Sequence, residues 1–453
     1  MIPTCSPDEC DVPAQELLLF ASGQARGAGR RQILEHLLAG CVRCRETLAT
    51  LKDLGPEQPG AAGSEESEDA ASVSKILASL GQRAERIEKE RTQARLYLSD
   101  FLAHPALRQW TLIRNSRRFD TWSFGAGLLE ASFESIYDDP RRALDLALMA
   151  QCVVERLDVE PYGQRSVCDL QARGFAHLGN ARRALGDLTG ASEALKRARQ
   201  LLADGTGDPL EEAELLYFEA SLLRGLRRLD EALRKVRRSA RLYRELGDVH
   251  LEGRSMVNEA SILSLRGETA RSLELLVVAA AKVDPERDPR LALGVRHNQV
   301  WQLMEIGRAP EALDALETFR GDYERLGDRT SQLRLGWLQA RLLQKIGRRE
   351  EAAAQFRAAV AGFTAHELPY ETATATLDFA LLLAEERRFP EVKELAAETL
   401  VLFRSIGVAR ESIAAWIVFQ QAVEAEAVTA ALIERLGRYY TEAKLRPELK
   451  FEA

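Results

Sequence analysis

From about residue 73 to the end of the chain, apolar residues recur with the 3.6-residue period of amphipathic helices, interrupted by short polar turns. This pattern predicts an all-α protein. Before it, residues 55–72 are rich in Pro, Gly, Ser and acidic residues and predict a flexible linker. Residues 1–54 form a separate small segment. We therefore divide the helical remainder into a connector at 73–119 and an array at 120–445.

The array repeats in three ways that share one register. A short turn recurs along the array, and each copy ends in a residue that is usually small. These residues follow one another at spacings of 41, 40, 40, 40 and 40: Ala191, Ala232, Ser272, Ala312, Ala352 and Val392. Twelve residues before each of these, a small residue stands at Gly179, Ala220, Ala260, Val300, Ala340 and Ala380. A larger apolar residue recurs every 40 residues at Tyr243, Val283, Tyr323, Phe363 and Phe403. The pattern predicts stacked antiparallel helix pairs.

The turn and alanine motifs resemble tetratricopeptide repeats, with a period of 40 residues rather than the usual 34. The resemblance implies a right-handed α-solenoid that binds other proteins. A weaker unit precedes the series at Asp139–Leu144, and residues 410–445 supply a capping pair.

The resemblance also implies which first-helix side chains face the concave groove. Carrying over the inward positions of a tetratricopeptide unit gives Arg173, Asn180, Tyr217, Arg254, His297, Trp301, Arg334, Trp337 and Arg341. Arginine pairs with carboxylates in bidentate fashion and aromatic rings supply contact area, so such a groove suits an acidic or C-terminal peptide. The alternative is that the aromatic residues pack between repeats.

The remaining chemistry lies near the start of the chain. His36, Cys41 and Cys44 meet at a predicted helix end, where Gly40 stops one helix and the Cys-x-x-Cys turn opens the next. Cys10, or alternatively Cys5, supplies a fourth soft ligand for a tetrahedral Zn²⁺ ion. A site with four protein ligands has no open coordination position, so the zinc is structural.

The segment from Cys10 to about Leu54 resembles the zinc-binding anti-sigma domain. The resemblance implies Cys10, His36, Cys41 and Cys44 as ligands and an extracytoplasmic-function sigma factor as partner. Four residues separate His36 from Cys41, where the family has three, so the turn at Gly40 has to absorb one residue.

Composition narrows the class of protein further. Lys and Arg total 62 against 69 Asp and Glu, a net charge of −7, which makes nucleic acid an unlikely partner. No long uncharged apolar stretch predicts a membrane span, and the acidic start lacks a signal sequence, so we expect a cytoplasmic protein. Phosphate loops, nucleophile elbows and His-Glu-x-x-His pairs are missing, and we expect no enzyme.

These features predict a bacterial regulator or adaptor involved in transcription regulation, whose zinc domain docks one partner and whose array binds a second protein or peptide. An alternative is an assembly scaffold that recruits an effector without sigma binding. A second is a zinc and thiol redox sensor, because a Cys-x-x-Cys pair at a helix N-terminus has a lowered thiol pKa.

The zinc prediction is tested by the metal content of the purified chain. Wild type should carry stoichiometric zinc, and Cys41→Ser should lose it because a thiolate ligand is removed. Cys152→Ser, outside the ligand set, is the matched control and should retain the metal. A zinc-free wild-type protein would show the ligand assignment to be wrong.

Overall fold

The computed structural model describes residues 88–453, apart from 137–138, 327–328, 367, 406–409, 426, 444–445, 447–448 and 453. It also describes isolated positions among the first 87 residues: Val12, Pro13, Glu16, Leu17, Ile33, Arg43, Cys44 and Thr47. The linker predicted at 55–72 lies outside the described residues. The chain divides into two compact units, Met1–Gln93 and Ala94–Ala453.

Within the first unit, the described apolar side chains are buried. Val12, Leu17, Ile33 and Cys44 are all at most 3% exposed, as expected for a unit with an apolar core.

The second unit is helical, and its helices follow one another with short connections. Residues 94–102 are helical, and Arg117–Phe119 is a 3₁₀ turn. The further helices are α1 Ala106–Asn115, α2 Trp122–Ser135, α3 Pro140–Val154, α4 Val159–Tyr162, α5 Gln164–Ala184, α6 Leu188–Ala203, α7 Pro209–Gly225, α8 Leu229–Glu245, α9 Val249–Leu265 and α10 Thr269–Ala280. They continue with α11 Pro289–Glu305, α12 Ala309–Thr318, α13 Arg320–Leu326, α14 Arg329–Lys345, α15 Arg349–Ala365, α16 Pro369–Glu385, α17 Phe389–Ser405, α18 Arg410–Glu424 and α19 Ala430–Ala443.

Consecutive helices pack as pairs, and each pair packs on the next, as the 40-residue pattern predicts. We number six repeats: α5–α6, α7–α8, α9–α10, α11–α13, α14–α15 and α16–α17. The first helices of neighbouring repeats also contact each other, from α5 and α7 to α14 and α16. The stack therefore has one face built from first helices alone.

The turn inside each repeat ends the first helix with a left-handed residue. These residues are Gly186, Arg227, Gly267, Gly307, Gly347 and Arg387, with φ between 59° and 83°. At Gly347 the amide donates to the carbonyl of Gln344, and the next amide, of Arg348, donates to Leu343. This pair of hydrogen bonds is a Schellman motif, which satisfies carbonyls that the helix end would leave without partners.

The three repeating markers are buried, so the sequence register is confirmed. Ala191, Ala232, Ser272, Ala312, Ala352 and Val392 are all fully buried, as are the small residues from Ala220 to Ala380. Gly179 is the tightest position, because an added Cβ would lie 2.8 Å from Leu195 Cγ. The larger markers from Tyr243 to Phe403 are at most 6% exposed. Small residues let the two helices of a pair approach closely, and the larger ones fill the space between pairs.

Aspartates start many of the helices. The carboxylates of Asp139, Asp187, Asp248 and Asp288 each accept a hydrogen bond from a backbone amide in the first turn of the following helix. Asp208 does the same for α7. Such caps satisfy amides that have no partner within the helix.

Aromatic clusters close the array at both ends. Phe101, Phe119 and Phe124 are at most 1% exposed and pack ring against ring with centroids 4.8–5.5 Å apart. Phe101 and Phe119 belong to the predicted connector, so the compact unit begins earlier than the array predicted from residue 120. At the other end, Trp416 and Tyr440 of the capping pair are fully buried, with ring centroids 5.8 Å apart.

No helix in the described part of the chain combines the length and apolar composition needed to span a membrane.

The left-handed turns predict opposite effects of alanine at two glycines. Gly347→Ala should lower the free energy of unfolding by about 1 kcal/mol, because a Cβ is disfavoured at its φ of 82°. Gly437→Ala should instead raise it by about 0.5–1 kcal/mol, because Gly437 lies in the middle of helix α19. An added Cβ meets no atom within 4 Å at either site, so packing does not contribute. Urea unfolding measures both, and a Gly347→Ala chain as stable as wild type would contradict the argument.

Candidate functional site

A cavity of about 680 Å³ lies on the face built from first helices. It is lined by four consecutive repeats, from α7 in repeat two to α14 in repeat five. We call it the arginine cavity. Its lining residues are Tyr217, Arg224, Arg254, Val257, Asn258, Ser261, Arg290, Leu291, Leu293, Gly294, His297, Asn298, Tyr323, Thr330, Ser331 and Arg334.

The charge of this lining has one sign. Four arginines line the cavity, and none of its described lining residues is Asp or Glu. Arg334 Nη2 lies 3.0 Å from Oε1 of Glu371, which is not among the lining residues. A concave surface lined by positive charges concentrates the field and favours anionic groups.

Arg254 is the most enclosed of the four arginines, at 8% exposed. Its guanidinium carbon lies 4.6 Å from the ring centre of Tyr217 and 5.1 Å from that of Phe133, so two aromatic faces flank it. Its Nη2 makes a long hydrogen bond of 3.5 Å to Tyr243 Oη, and its buried Nε has no partner among the described residues. No carboxylate oxygen of the described residues forms an ion pair with the guanidinium within 4 Å, although the charge of Glu214 acts on it from farther away.

Asn258 lies one helical turn from Arg254 on α9 and is 5% exposed. Ser221 donates its hydroxyl proton to the Tyr217 carbonyl at 3.0 Å, so Asn258 Nδ2 must be the donor in its 3.0 Å contact with Ser221 Oγ. This arrangement fixes the amide orientation. It leaves the buried Asn258 Oδ1 without a partner among the described residues.

His297 forms the far wall together with Tyr323, and its Nδ1 lies 2.6 Å from the Tyr323 hydroxyl. Burial, with a smaller contribution from the charge of Arg334, lowers the pKa of His297 from 6.5 to about 4. The imidazole is therefore neutral near pH 7. Tyr323 lies on the short helix α13, which follows the break in the second helix of repeat four at Phe319.

A second cavity of about 320 Å³ adjoins the arginine cavity and shares Arg224, Ser261, His297 and Asn298 with it. Trp301 lines it, and so does Glu442 of the capping helix α19. Glu442 Oε1 lies 2.5 Å from Nη2 of Arg227, which stands in the turn of repeat two. The concave face is thus bridged at this point by the capping pair.

A third cavity of about 320 Å³ is lined by both acidic and basic residues, including Arg173 and Arg254. Arg173 forms ion pairs with Glu211 and Glu214 of the next repeat. Burial alone would raise the pKa of Glu214, but a hydrogen bond and charge from His177, with the charges of Arg173 and Arg254, lower it to about 2. Arg173 is thus neutralised by the protein itself.

Two of the predicted groove residues, Trp337 and Arg341, connect repeats instead. Trp337 Nε1 donates to Asp378 at 2.9 Å, and the Arg341 guanidinium carbon lies 4.3 Å from the ring centre of Trp301. Arg341 also lies 3.5 Å from carboxylate oxygens of both Asp378 and Glu305.

Asn180 is buried and accepts hydrogen bonds from Arg183. Neither it nor Trp337 nor Arg341 lines any of the three cavities. For Trp337 the alternative of packing between repeats describes these contacts, and a role of the three residues in ligand binding stays a prediction.

The structure thus brings four predicted residues together around the arginine cavity: Tyr217, Arg254, His297 and Arg334. Trp301 and Arg173 lie on the two neighbouring cavities. The prediction missed Arg224, Asn258, Asn298 and Tyr323. Asn258 lies one helical turn after the predicted groove residue Arg254, and Asn298 directly follows the predicted groove residue His297, so including these neighbouring positions would have found both.

The predicted zinc ligands Cys10, His36 and Cys41 lie outside the described residues, as does the alternative ligand Cys5. Cys44 lies within them and is fully buried. Zinc binding stays a prediction.

No protein-family model matches the chain, and no curated relative does. Among solved structures it is similar to a Rap protein complexed with Competence and Sporulation Factor, with a TM-score of 0.54, 13% identity, and coverage of 71% of this chain and 87% of that one. It is also similar to a STAND signal-transduction ATPase with a tetratricopeptide repeat sensor from Pyrococcus horikoshii, with a TM-score of 0.52 and 12% identity. That match covers 96% of this chain and 60% of the ATPase.

These likenesses concern the fold. The described array is a tetratricopeptide-like helical solenoid, as the repeat pattern predicts.

The low pKa of His297 predicts a pH dependence of stability. Because the unfolded histidine takes up a proton near pH 6.5 and the folded one only near pH 4, acidification through this window favours unfolding. Relative to His297→Gln, wild type should lose about 2 kcal/mol of unfolding free energy between pH 7 and pH 4.5. Tyr323→Phe is the control and should keep most of the dependence, because burial is the main cause. Parallel urea-unfolding profiles for wild type and His297→Gln would contradict the assignment.

Proposed function

We propose that this chain is a non-enzymatic bacterial regulator or adaptor whose solenoid binds an extended segment of a partner protein along the first-helix face. The observation that carries the proposal is the arginine cavity, a concave site lined by four repeats with arginines and without acidic residues. Its volume of about 680 Å³ is in the usual range for ligand pockets. The Rap protein of similar fold is complexed with Competence and Sporulation Factor, which supports a ligand-binding role for the array.

The N-terminal segment forms the second half of the proposal. By its resemblance to zinc-binding anti-sigma domains, residues 1–54 hold structural Zn²⁺ on Cys10, His36, Cys41 and Cys44 and dock a sigma factor in the cytoplasm. Occlusion of the sigma surfaces that bind RNA polymerase would be the mechanism. The scaffold and redox-sensor alternatives use the same residues with a different partner or signal.

Ligand binding by the solenoid can be tested by filling the arginine cavity with a larger side chain. Gly294 lines the cavity, and an added Cβ there meets no atom within 4 Å, so Gly294→Phe should fold normally and occupy the ligand volume. The full chain is applied to an array of immobilised synthetic peptides that vary in charge. Wild type should retain a subset of the peptides, and Gly294→Phe should lose them.

Gly321→Phe is the matched control, because Gly321 is an exposed helical glycine that lines none of the three cavities. It should bind as wild type does. Equal binding by the Gly294→Phe and Gly321→Phe chains would place the binding surface elsewhere. On the same full chains, retention of a purified extracytoplasmic-function sigma factor should depend on Cys41 but not on Gly294. A chain that binds peptides but no sigma factor would favour the scaffold.

A further inference from the structure

Three arginines occupy the same position of the repeat in the described array, and two of them are neutralised by the next repeat. Arg173 of repeat one pairs with Glu211 and Glu214 of repeat two. Arg334 of repeat five pairs with Glu371 of repeat six, 3.0 Å away. Glu211 and Glu371 themselves share one position of the repeat. The array thus has an ion pair that links a first helix to the next one.

Arg254 of repeat three lacks this partner in the next repeat, although the charge of Glu214 in the preceding repeat acts on it from beyond 4 Å. At the position of Glu211 and Glu371, repeat four has Leu291, and at the position of Glu214 it has Gly294. Among the described residues, no carboxylate oxygen lies within 4 Å of the Arg254 guanidinium, and its one hydrogen bond is the 3.5 Å contact with Tyr243. Leu291 and Gly294 both line the arginine cavity. The cavity therefore opens where the repeated ion pair is interrupted.

A guanidinium that is 92% buried without an acceptor for its Nε is costly unless another group supplies one. One turn along α9, the buried Asn258 Oδ1 is an acceptor without a donor. Both side chains line the arginine cavity. A ligand seated there would therefore match the site if it carried an anionic acceptor for Arg254 and an N–H group for Asn258.

We propose that Arg254 anchors a carboxylate of an extended acidic peptide segment, while Asn258 accepts a hydrogen bond from the backbone of that segment. A peptide supplies both groups at neighbouring positions, because each residue carries a backbone N–H. The carboxylate takes the place that Glu211 holds beside Arg173. Arg224 and Arg290 line the same cavity, whose described lining contains no Asp or Glu. The inference rests on the proposed function and names the chemistry of its ligand.

The test uses the full chain and fluorescently labelled peptides in an anisotropy titration. One peptide contains Glu and Gly and ends in an amide; a second has Gln in place of Glu. A third is the Gln peptide with a free C-terminal carboxylate. Wild type should bind the Glu peptide about 10- to 100-fold more tightly than the amidated Gln peptide, because a charge-assisted bidentate pair forms only with the former. Tight binding of the third peptide would identify the C-terminus as the carboxylate source.

Leu291→Glu is the decisive variant, since it restores the ion pair seen in repeats one and five and leaves Arg254 in place. It should abolish the preference for the Glu peptide, and Arg254→Gln should do the same. Arg254→Lys keeps the charge but loses the planar fork, so we expect a partial loss. Arg349→Gln is the control, because Arg349 is 53% exposed and lines none of the three cavities. Urea midpoints and circular dichroism verify that each variant is folded.

Equal affinity of wild type for the Glu and Gln peptides would overturn the carboxylate anchor while leaving groove binding intact, provided that Gly294→Phe still abolishes both. A Leu291→Glu chain that keeps its preference for Glu would overturn it as well. Inorganic phosphate that displaces the Glu peptide at equal concentration would show a small-anion site instead of a peptide site. If none of the three peptides binds, the proposed function and the anchor both fail.

Discussion

The close approach of the two helices in each repeat is the constraint on which the rest of the array depends. It requires a small residue on the first helix and another after the turn, and both are buried throughout the six repeats, as at Ala260 and Ser272. The helix before each turn must end abruptly, and a left-handed residue with its Schellman hydrogen bonds ends it. Because this geometry recurs every 40 residues, the first helices lie side by side and form a continuous face.

That face converts sequence register into a site. Residues at one position of the repeat become neighbours along the array. Adjacent repeats can therefore place either opposite charges or like charges side by side at that position. Arg173 and Glu214 alternate, and the cavity beside them contains both signs. After Arg254, repeat four has Leu291 and Gly294 at the positions of the acidic partners, and the described lining of the arginine cavity contains no Asp or Glu. Electrostatic character therefore changes along the groove while the backbone architecture stays the same.

The sequence predicted the repeat architecture well because its markers have local physical causes. The positive φ of Gly347 follows from turn chemistry, and the burial of Ala352 follows from helix packing. Predictions about the groove were less complete, because many inward-facing side chains form hydrogen bonds or ion pairs with side chains of neighbouring repeats. Trp337 donates to Asp378 of the next repeat, a contact that the register of a single helix does not show. The break at Phe319, which separates α12 from α13, is likewise not expected from the period of the second helices.

Arg254 shows how a buried charge can be kept without a carboxylate in hydrogen-bonding contact, since Glu214 of its own chain acts on it only through charge from beyond 4 Å. A guanidinium removed from water normally needs a carboxylate, and Arg173 satisfies this need with Glu211. Arg254 instead lies between the rings of Tyr217 and Phe133, whose π faces attract the cation but do not satisfy its N–H donors. The two kinds of contact therefore have different roles at this site. The rings hold the guanidinium in position, whereas only some of its N–H donors form hydrogen bonds. The rings come from two different helices, α2 and α7. Replacing either ring should therefore loosen the position of the Arg254 guanidinium while its charge stays the same.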